Sequence, residues 1–241
     1  MKNVWSSHSH DNIQSPKAGG ILGTFLLYVR FIECYTTIRS HHNTHATKPM
    51  KHTRHTIDCI SEDSATLAGG CFWCLESIYD NIHGVLQVTS GYTGGSTINP
   101  TYQEICTGTT NHAECIQISF LPHQVSYQTL LEIFFAYHDP TTLNRQGNDV
   151  GSQYRSAIFT HDDHQSSIAQ QTIRSLDLNH TFDKPIVTQV SRLDVFYKAE
   201  IYHQRYYHSN PNNPYCNAVI TPKLSKLRQQ HAHLMKSQRK R

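Results

Sequence analysis

The chain has 241 residues, of which 37% are hydrophobic, so it is long enough to bury a core without a disulfide framework. Its formal net charge of +3 is the sum of three segments that differ in charge: residues 1–58 carry +4, residues 59–222 carry −8 and residues 223–241 carry +7. The positive charge therefore lies at the two ends, whereas a nucleic-acid-binding domain carries its basic patch on the folded body, and we expect no nucleic-acid partner.

The first 59 residues lack the pattern of a folded domain. Their apolar run from Ile21 to Tyr35 contains Arg30 and Glu33, so it predicts neither a secretory signal nor a membrane-spanning helix. The stretch from Ser40 to His55 is rich in His, Thr and Lys, which predicts disorder. We therefore expect residues 1–59 to be a disordered or appended extension, and we expect no membrane partner.

Readable periodicity begins at Ala65 and alternates between strands and helices. In chain order the pattern predicts a strand at 65–68, a helix from Phe72, strands at 85–92 and 116–120, a helix from Ser126, a strand at 154–160, a helix at 162–176 and a strand at 186–190. The order β-α-β-β-α-β is typical of the split βαβ pattern. We predict an α+β, ferredoxin-like fold with an antiparallel-rich sheet, helices packed on it and a loop-rich C-terminal segment.

We place this catalytic domain at residues 60–228 and a basic, solvated tail at 229–241. Two long polar segments, 93–112 and 138–153, are predicted to be loops. Functional residues are often carried by such loops, so these two are where we expect a site.

The cysteines indicate the redox environment. Their number is odd and they are thinly spread, which does not suit a dense disulfide framework. Free thiols are typical of a reducing compartment, so we expect a cytoplasmic protein. We interpret Cys106 and Cys115 as structural, and Cys34 and Cys59 lie outside the predicted domain. The remaining three are Cys71, Cys74 and Cys216.

The segment Gly69–Glu76, GGCFWCLE, is the most informative in the chain. Cys71 falls where the predicted strand ends and the helix begins, so free backbone N–H groups and the helix dipole are expected to lower its pKa and make it a nucleophile. Phe72 and Trp73 would form an apolar wall beside it. On spacing alone, Cys71 could equally be a small core residue, or could form half of a zinc site with Cys74.

This segment and the motifs after it resemble the A-type peptide methionine sulfoxide reductases over roughly residues 64–228. The shared motifs are GCFWCxE at 70–76, GYTGG at 91–95, NPTY at 99–102, HAE at 112–114, HDP at 138–140, NRQGNDVGSQYRS at 144–156 and YHQ at 202–204. The resemblance implies a monomeric protein-repair enzyme that reduces methionine S-sulfoxide, free and in proteins. It implies no bound cofactor or metal, and a reductant supplied from outside as thioredoxin or dithiothreitol.

The resemblance also implies a role for each reacting group. Cys71 would attack the sulfoxide sulfur, and Glu114 would protonate the oxygen that leaves. Glu114 could do so near neutral pH only if an apolar pocket raised its pKa. Phe72 and Trp73 would supply that pocket and enclose the methyl group of the substrate. Without the resemblance, Glu114 would more often be a solvated charge at a strand end.

Three further residues match the family's polar groups. Tyr102 and Tyr154 would donate hydrogen bonds to the sulfoxide oxygen, and Asp149 would orient the site. Without the resemblance, the tyrosines would be packing residues, and Asp149 could equally stabilise the turn that follows Asn148.

Regeneration of the thiol requires a second cysteine, because a sulfenic acid is reset through a disulfide. Cys74 lies one helical turn from Cys71, although many family members have Gly at that position. Cys216 matches the C-terminal recycling cysteine of other members and lies in a Pro/Asn-rich segment that is predicted to be flexible. We slightly favour Cys216 as the first resolving thiol, with Cys74 as its partner or alternative.

The cysteines and glycines would also suit two other classes of protein. One is a non-catalytic module that binds zinc or oxidised partners through Cys71 and Cys74. The other is a phosphate-binding protein that uses the glycines of Gly91–Ser96, but no Lys-Ser/Thr pair follows them.

Overall fold

The computed structural model of the chain describes residues 61–237. The strands are β1 (Asp63–Gly69), β2 (Val85–Thr93), β3 (Ala113–Phe120), β4 (Arg145–Gln146), β5 (Asp149–Val150), β6 (Ser156–Thr160), β7 (Gln189–Arg192) and β8 (Tyr197–Lys198). The helices are α1 (Phe72–Tyr79), α2 (Tyr102–Cys106), α3 (Tyr127–Tyr137), α4 (Asp163–Leu178), α5 (Tyr206–Ser209) and α6 (Thr221–Gln230). The extension predicted at residues 1–59, with Cys34 and Cys59, lies outside the described residues.

Six strands form one sheet in the order β7-β6-β1-β3-β2-β8. Strand β1 is central and runs antiparallel to β3 and β6, while β2 runs antiparallel to β3 and β8. Strands β6 and β7 are parallel. The short strands β4 and β5 pair with each other in a separate ribbon. Helices pack against this sheet, and the predicted α+β fold is confirmed.

The apolar pattern of β1 explains its central position. Residues 65–69 are all buried, as expected of a strand that has neighbours on both edges and packing on both faces. A cluster of small buried residues (Ala68, Ala113, Cys115 and Ala157, with Phe159) is covered by Leu193 and Phe196. The segment between β7 and β8 therefore closes this part of the core.

The structure differs from the predicted elements in the two polar segments. The first, 93–112, contains α2, which begins with a capping box between Thr101 and Glu104. The second, 138–153, contains the β4–β5 ribbon. Five residues of helix and two-residue strands are too short to produce a periodic signal. The strand predicted at 154–160 begins only at Ser156, after a 3₁₀ turn.

The C-terminal segment contains helical structure among its loops. A π-helical turn at Cys216–Ile220 leads directly into α6. Beyond residue 228, where we predict a solvated tail, Ile82 forms a β-bridge with Met235, and Lys236 N–H donates to the Asn81 carbonyl at 2.8 Å. These residues of the tail are therefore paired with the segment that follows α1.

Among residues 61–237, the helices are all too short or too polar to span a bilayer.

Candidate active site

Cys71 is the residue immediately before α1, where the chain turns from β1 into the helix. Gly70 makes this turn possible, since its φ of 90° lies in the left-handed region that favours glycine. The Cys71 side chain is only 8% exposed. Burial, a hydrogen bond with Cys74 and the charge of Glu114 raise its pKa. The prediction that the helix start lowers the pKa of Cys71 is therefore wrong for the free protein, because burial outweighs it.

Glu114 lies beside Cys71 at the start of β3. Its Oε2 accepts a hydrogen bond from the Phe72 backbone N–H at 3.2 Å, at the first residue of α1. Only 1% of the residue is exposed, and burial raises its pKa to about 8, with the charge of Asp149 adding to the shift. At neutral pH the carboxyl group is mostly protonated, so it can donate a proton next to the thiol. A raised pKa is the condition that a proton-donating role for Glu114 requires.

The two aromatic residues that follow Cys71 form a wall with the C-terminal segment. The Phe72 ring lies 5.1 Å from that of His203. Trp73 stacks on Tyr206, with ring centroids 3.6 Å apart and planes 5° from parallel. The Trp73 indole N–H also donates to His203 Nδ1 at 3.1 Å. The indole is therefore held at its face and at its nitrogen, which fixes an apolar surface next to Cys71.

The two predicted phenol donors lie on separate elements near Glu114. Tyr102 is the first residue of α2, and its backbone N–H donates to Glu200 Oε1 at 2.8 Å. Tyr154 ends the 3₁₀ turn before β6. Burial raises the pKa of both phenols, followed in each case by the charge of Glu114. Both hydroxyls therefore remain protonated donors at any physiological pH.

Asp149 reaches the thiols through Tyr215. The Tyr215 hydroxyl donates to Asp149 Oδ2 at 3.0 Å and lies 3.6 Å from Cys74 Sγ. A hydrogen bond from Cys71 and the charge of Lys223 together lower the pKa of Cys74 to about 7, against the effect of burial. Of the two neighbouring thiols, Cys74 is thus the more easily ionised.

Cys216 is fully buried at the start of the π-helical turn. It is not in a loose segment as predicted, because the turn continues into α6. Burial and the charge of Cys74 raise its pKa. Of the two cysteines interpreted as structural, Cys115 is buried, whereas Cys106 is exposed on α2. Cys106 therefore does not contribute to the core.

Four residues that contact the site received no role from the sequence. They are Glu200, His203, Tyr206 and Tyr215. They lie far along the chain from Trp73 and Tyr102, so no local periodicity links them to the site. The YHQ motif at 202–204 and the NPYC segment at 213–216 were the available signals.

Within residues 61–237, no three His, Cys, Asp or Glu side chains cluster in a way that could hold a metal ion.

Comparisons with known proteins agree with this geometry. The family model described as peptide methionine sulfoxide reductase matches residues 63–235. Peptide methionine sulfoxide reductase MsrA of Trichodesmium erythraeum is 54% identical over 166 residues, which are 69% of this chain and 94% of the relative. The MsrA of Polynucleobacter asymbioticus is 50% identical over 176 residues, 73% of this chain and 93% of the relative.

Two solved structures are also similar to the chain. Mxr1 from Saccharomyces cerevisiae in reduced form has a TM-score of 0.59 and 34% identity, covering 66% of this chain and 91% of that one. Methionine sulfoxide reductase A of Corynebacterium diphtheriae has a TM-score of 0.57 and 35% identity, covering 63% of this chain and 76% of that one. The chain belongs to the peptide methionine sulfoxide reductase family.

Proposed function

We propose that this chain reduces methionine S-sulfoxide, free and in proteins, through a sulfenic acid on Cys71. The observation that carries the proposal is the contact between Glu114 and the start of α1, next to Cys71. A carboxyl group with a pKa of about 8 supplies the proton without which the sulfoxide oxygen is a poor leaving group.

The Cys71 thiol and the Glu114 carboxyl group together account for the atoms and electrons that the reaction transfers. The sulfur of Cys71 forms a bond to the sulfoxide sulfur while Glu114 gives its proton to the oxygen. The oxygen then passes to Cys71, which is oxidised to the sulfenic acid, and the sulfoxide is reduced to methionine. The thiol proton of Cys71 returns the Glu114 carboxylate to its acid form, directly or through solvent.

The neighbouring groups suit this step. Tyr102 and Tyr154 donate hydrogen bonds to the oxygen as it gains negative charge. Asp149 holds the Tyr215 hydroxyl and keeps Glu114 protonated by repulsion. An apolar wall favours the methyl group of methionine sulfoxide over a charged or bulky substituent.

The thiol contacts support a relay. The Cys74 thiolate attacks the Cys71 sulfenic sulfur, a Cys71–Cys74 disulfide forms, and the oxygen leaves as water. Cys216 then attacks Cys74, which passes the disulfide on and releases the Cys71 thiol. The sequence slightly favours Cys216 as the first resolving thiol, but the Cys74 backbone N–H donates to the Cys71 carbonyl at 3.1 Å, so the two residues are adjacent, and the Cys74 thiol is the more readily ionised. We therefore propose that Cys74 reacts first.

The final disulfide needs a two-electron dithiol reductant, and thioredoxin is the reductant that the proposal assigns. Dithiothreitol would replace it in an assay. The proposal includes a monomer acting in the reducing environment of the cytoplasm, without a bound metal or cofactor.

Substitution of Cys71 by Ser tests the proposal against the zinc-binding alternative. The reductase hypothesis predicts that methionine formation with dithiothreitol is lost while the melting temperature is unchanged. A zinc module predicts that bound metal and stability are lost together. Cys59→Ser, which changes a thiol outside the matched residues 63–235, is the control and should keep full activity. Methionine formation by the Cys71→Ser variant would refute the proposal.

A further inference from the structure

The turn that carries Tyr206 is held by a buried carboxylate with no part in the proposed chemistry. Glu76, on α1, is 3% exposed. Its Oε1 accepts the backbone N–H of Arg205 at 2.7 Å, and its Oε2 accepts that of Tyr206 at 3.2 Å. Arg205 has a φ of 53°, a left-handed conformation that is unfavourable for a residue with a Cβ. Both hydrogen bonds therefore support a turn that would not form readily by itself.

The same turn sets one wall of the substrate pocket. Tyr206 stacks its ring flat on Trp73, and Trp73 lies three residues before Glu76 on α1. Residues three apart share a face of a helix. One face of α1 thus presents the indole to the Tyr206 ring and the carboxylate to the Tyr206 backbone, so the two contacts fix the ring against the indole.

An amide side chain also attaches this segment to the sheet. Gln204 already binds the backbone of Ser90 on β2, accepting its N–H at 3.1 Å and donating to its carbonyl at 2.9 Å. Burial of a charged carboxylate costs free energy. Attachment of the segment alone would not require that charge, because the Gln204 amide already provides this attachment. The further effect of Glu76 is to fix the backbone conformation at Arg205 and Tyr206.

We propose that Glu76 is a positioning residue for the reductase step, acting through the Arg205–Tyr206 backbone to hold Trp73 where it receives the methyl group of the substrate. It does not touch the substrate. The inference rests on the proposed function, in which Trp73 is part of the substrate wall.

The test uses the full chain with Trp5→Phe, since Trp5 and Trp73 are its two tryptophans and Trp73 alone then fluoresces. Glu76→Gln removes the charge and sets an amide N–H₂ against one of the two backbone donors. We expect a KM for methionine sulfoxide roughly tenfold higher, the effect of losing a hydrogen bond to a charged group, with a smaller change in the single-turnover rate at saturation. Acrylamide should also quench Trp73 more strongly.

Asp80→Asn is the matched control. Asp80 directly follows α1 and faces the same turn, but its Oδ2 lies near the side chains of Arg205 and His208, at 3.9 and 3.3 Å, rather than near the backbone. It should change neither KM nor quenching. Because quenching requires no chemistry, its result is separate from the fate of the proposed reaction.

A double substitution separates positioning from general stability. If Glu76 acts through the ring, Glu76→Gln with Tyr206→Ala should raise KM no further than Tyr206→Ala alone. Glu76→Asp, which keeps the charge, should shift both readouts in the same direction by less, and it replaces the Gln variant if that one does not fold. Parental KM and quenching in a folded Glu76 variant, or effects that add in the double variant, would overturn the inference.

Discussion

The Tyr215 hydroxyl donates a hydrogen bond to Asp149 Oδ2 at 3.0 Å. This bond connects the β4–β5 ribbon to the segment that carries Cys216, and the two bonded residues are 66 positions apart in the sequence. The same hydroxyl lies 3.6 Å from Cys74 Sγ. The phenol therefore links Asp149 to Cys74, a thiol that we propose takes part in regeneration.

Loss of this phenol should slow thiol recycling. When Cys74 ionises, the Tyr215 hydroxyl turns its one proton from Asp149 to the thiolate, which lowers the pKa of Cys74. Tyr215→Phe should therefore raise that pKa above about 7 and leave less thiolate at neutral pH. We expect disulfide formation after one turnover to slow several-fold at pH 7 and to recover as the pH rises, as measured by quenched-flow thiol counting. A Tyr215→Phe variant with the parental pH profile would contradict this role.

Glu114→Gln should remove the proton donor. We expect the single-turnover rate of methionine formation to fall by roughly 10²–10⁴-fold, the usual contribution of a general acid. In the parent protein this rate should also decline as the pH rises through about 8, where Glu114 loses its proton. Glu62→Gln, a change at an exposed carboxylate, is the control. An unchanged rate in Glu114→Gln would remove Glu114 from the mechanism.

The same carboxyl group should affect stability with a defined sign. Its pKa rises from about 4.3 in an unfolded chain to about 8 in the folded one, so the folded state binds the extra proton between these values. The stability contributed by the protonated group is complete below pH 4 and is lost as the pH rises towards 8. Glu114→Gln does not titrate, so its melting temperature relative to the parent should be higher at pH 8.5 than at pH 5. Equal differences at both pH values would contradict the raised pKa.

The two candidate resolving thiols should give different products. In Cys216→Ser, one equivalent of substrate should yield a Cys71–Cys74 disulfide and one equivalent of methionine, with slow turnover by thioredoxin. In Cys74→Ser, the sulfenic acid should persist longer before Cys216 reaches it. Peptide mapping of non-reduced samples distinguishes the two. A Cys71–Cys216 disulfide formed at the parental rate in Cys74→Ser would make Cys216 the first resolving thiol.

Local sequence was enough to predict the position of Cys71, the proposed nucleophile. The apolar run of β1, the glycines at 69–70 and the periodicity after Phe72 place Cys71 at a strand-to-helix junction, where the structure has it. Helices α3 and α4 were predictable because each has a capping side chain, Ser126 or Asp162, and several turns of amphipathic pattern.

The direction in which the pKa of Cys71 shifts was not predictable from local sequence. Burial of Cys71 depends on side chains from β3 and from the C-terminal segment, so its raised pKa has no signal in residues 69–76. The anchoring of Trp73 by His203 and Tyr206 spans about 130 residues. Contacts of this kind arise only when the chain has folded, because neither partner shows a periodic pattern that identifies the other.

The most direct measurement of the central claim is chemical trapping of the oxidised nucleophile. The variant that combines Cys74→Ser with Cys216→Ser is mixed with one equivalent of methionine S-sulfoxide and dimedone, and the tryptic peptides are analysed by mass spectrometry. The account predicts one equivalent of methionine and a dimedone adduct on Cys71. Methionine formed without an adduct on Cys71, or with the adduct on another cysteine, would contradict it.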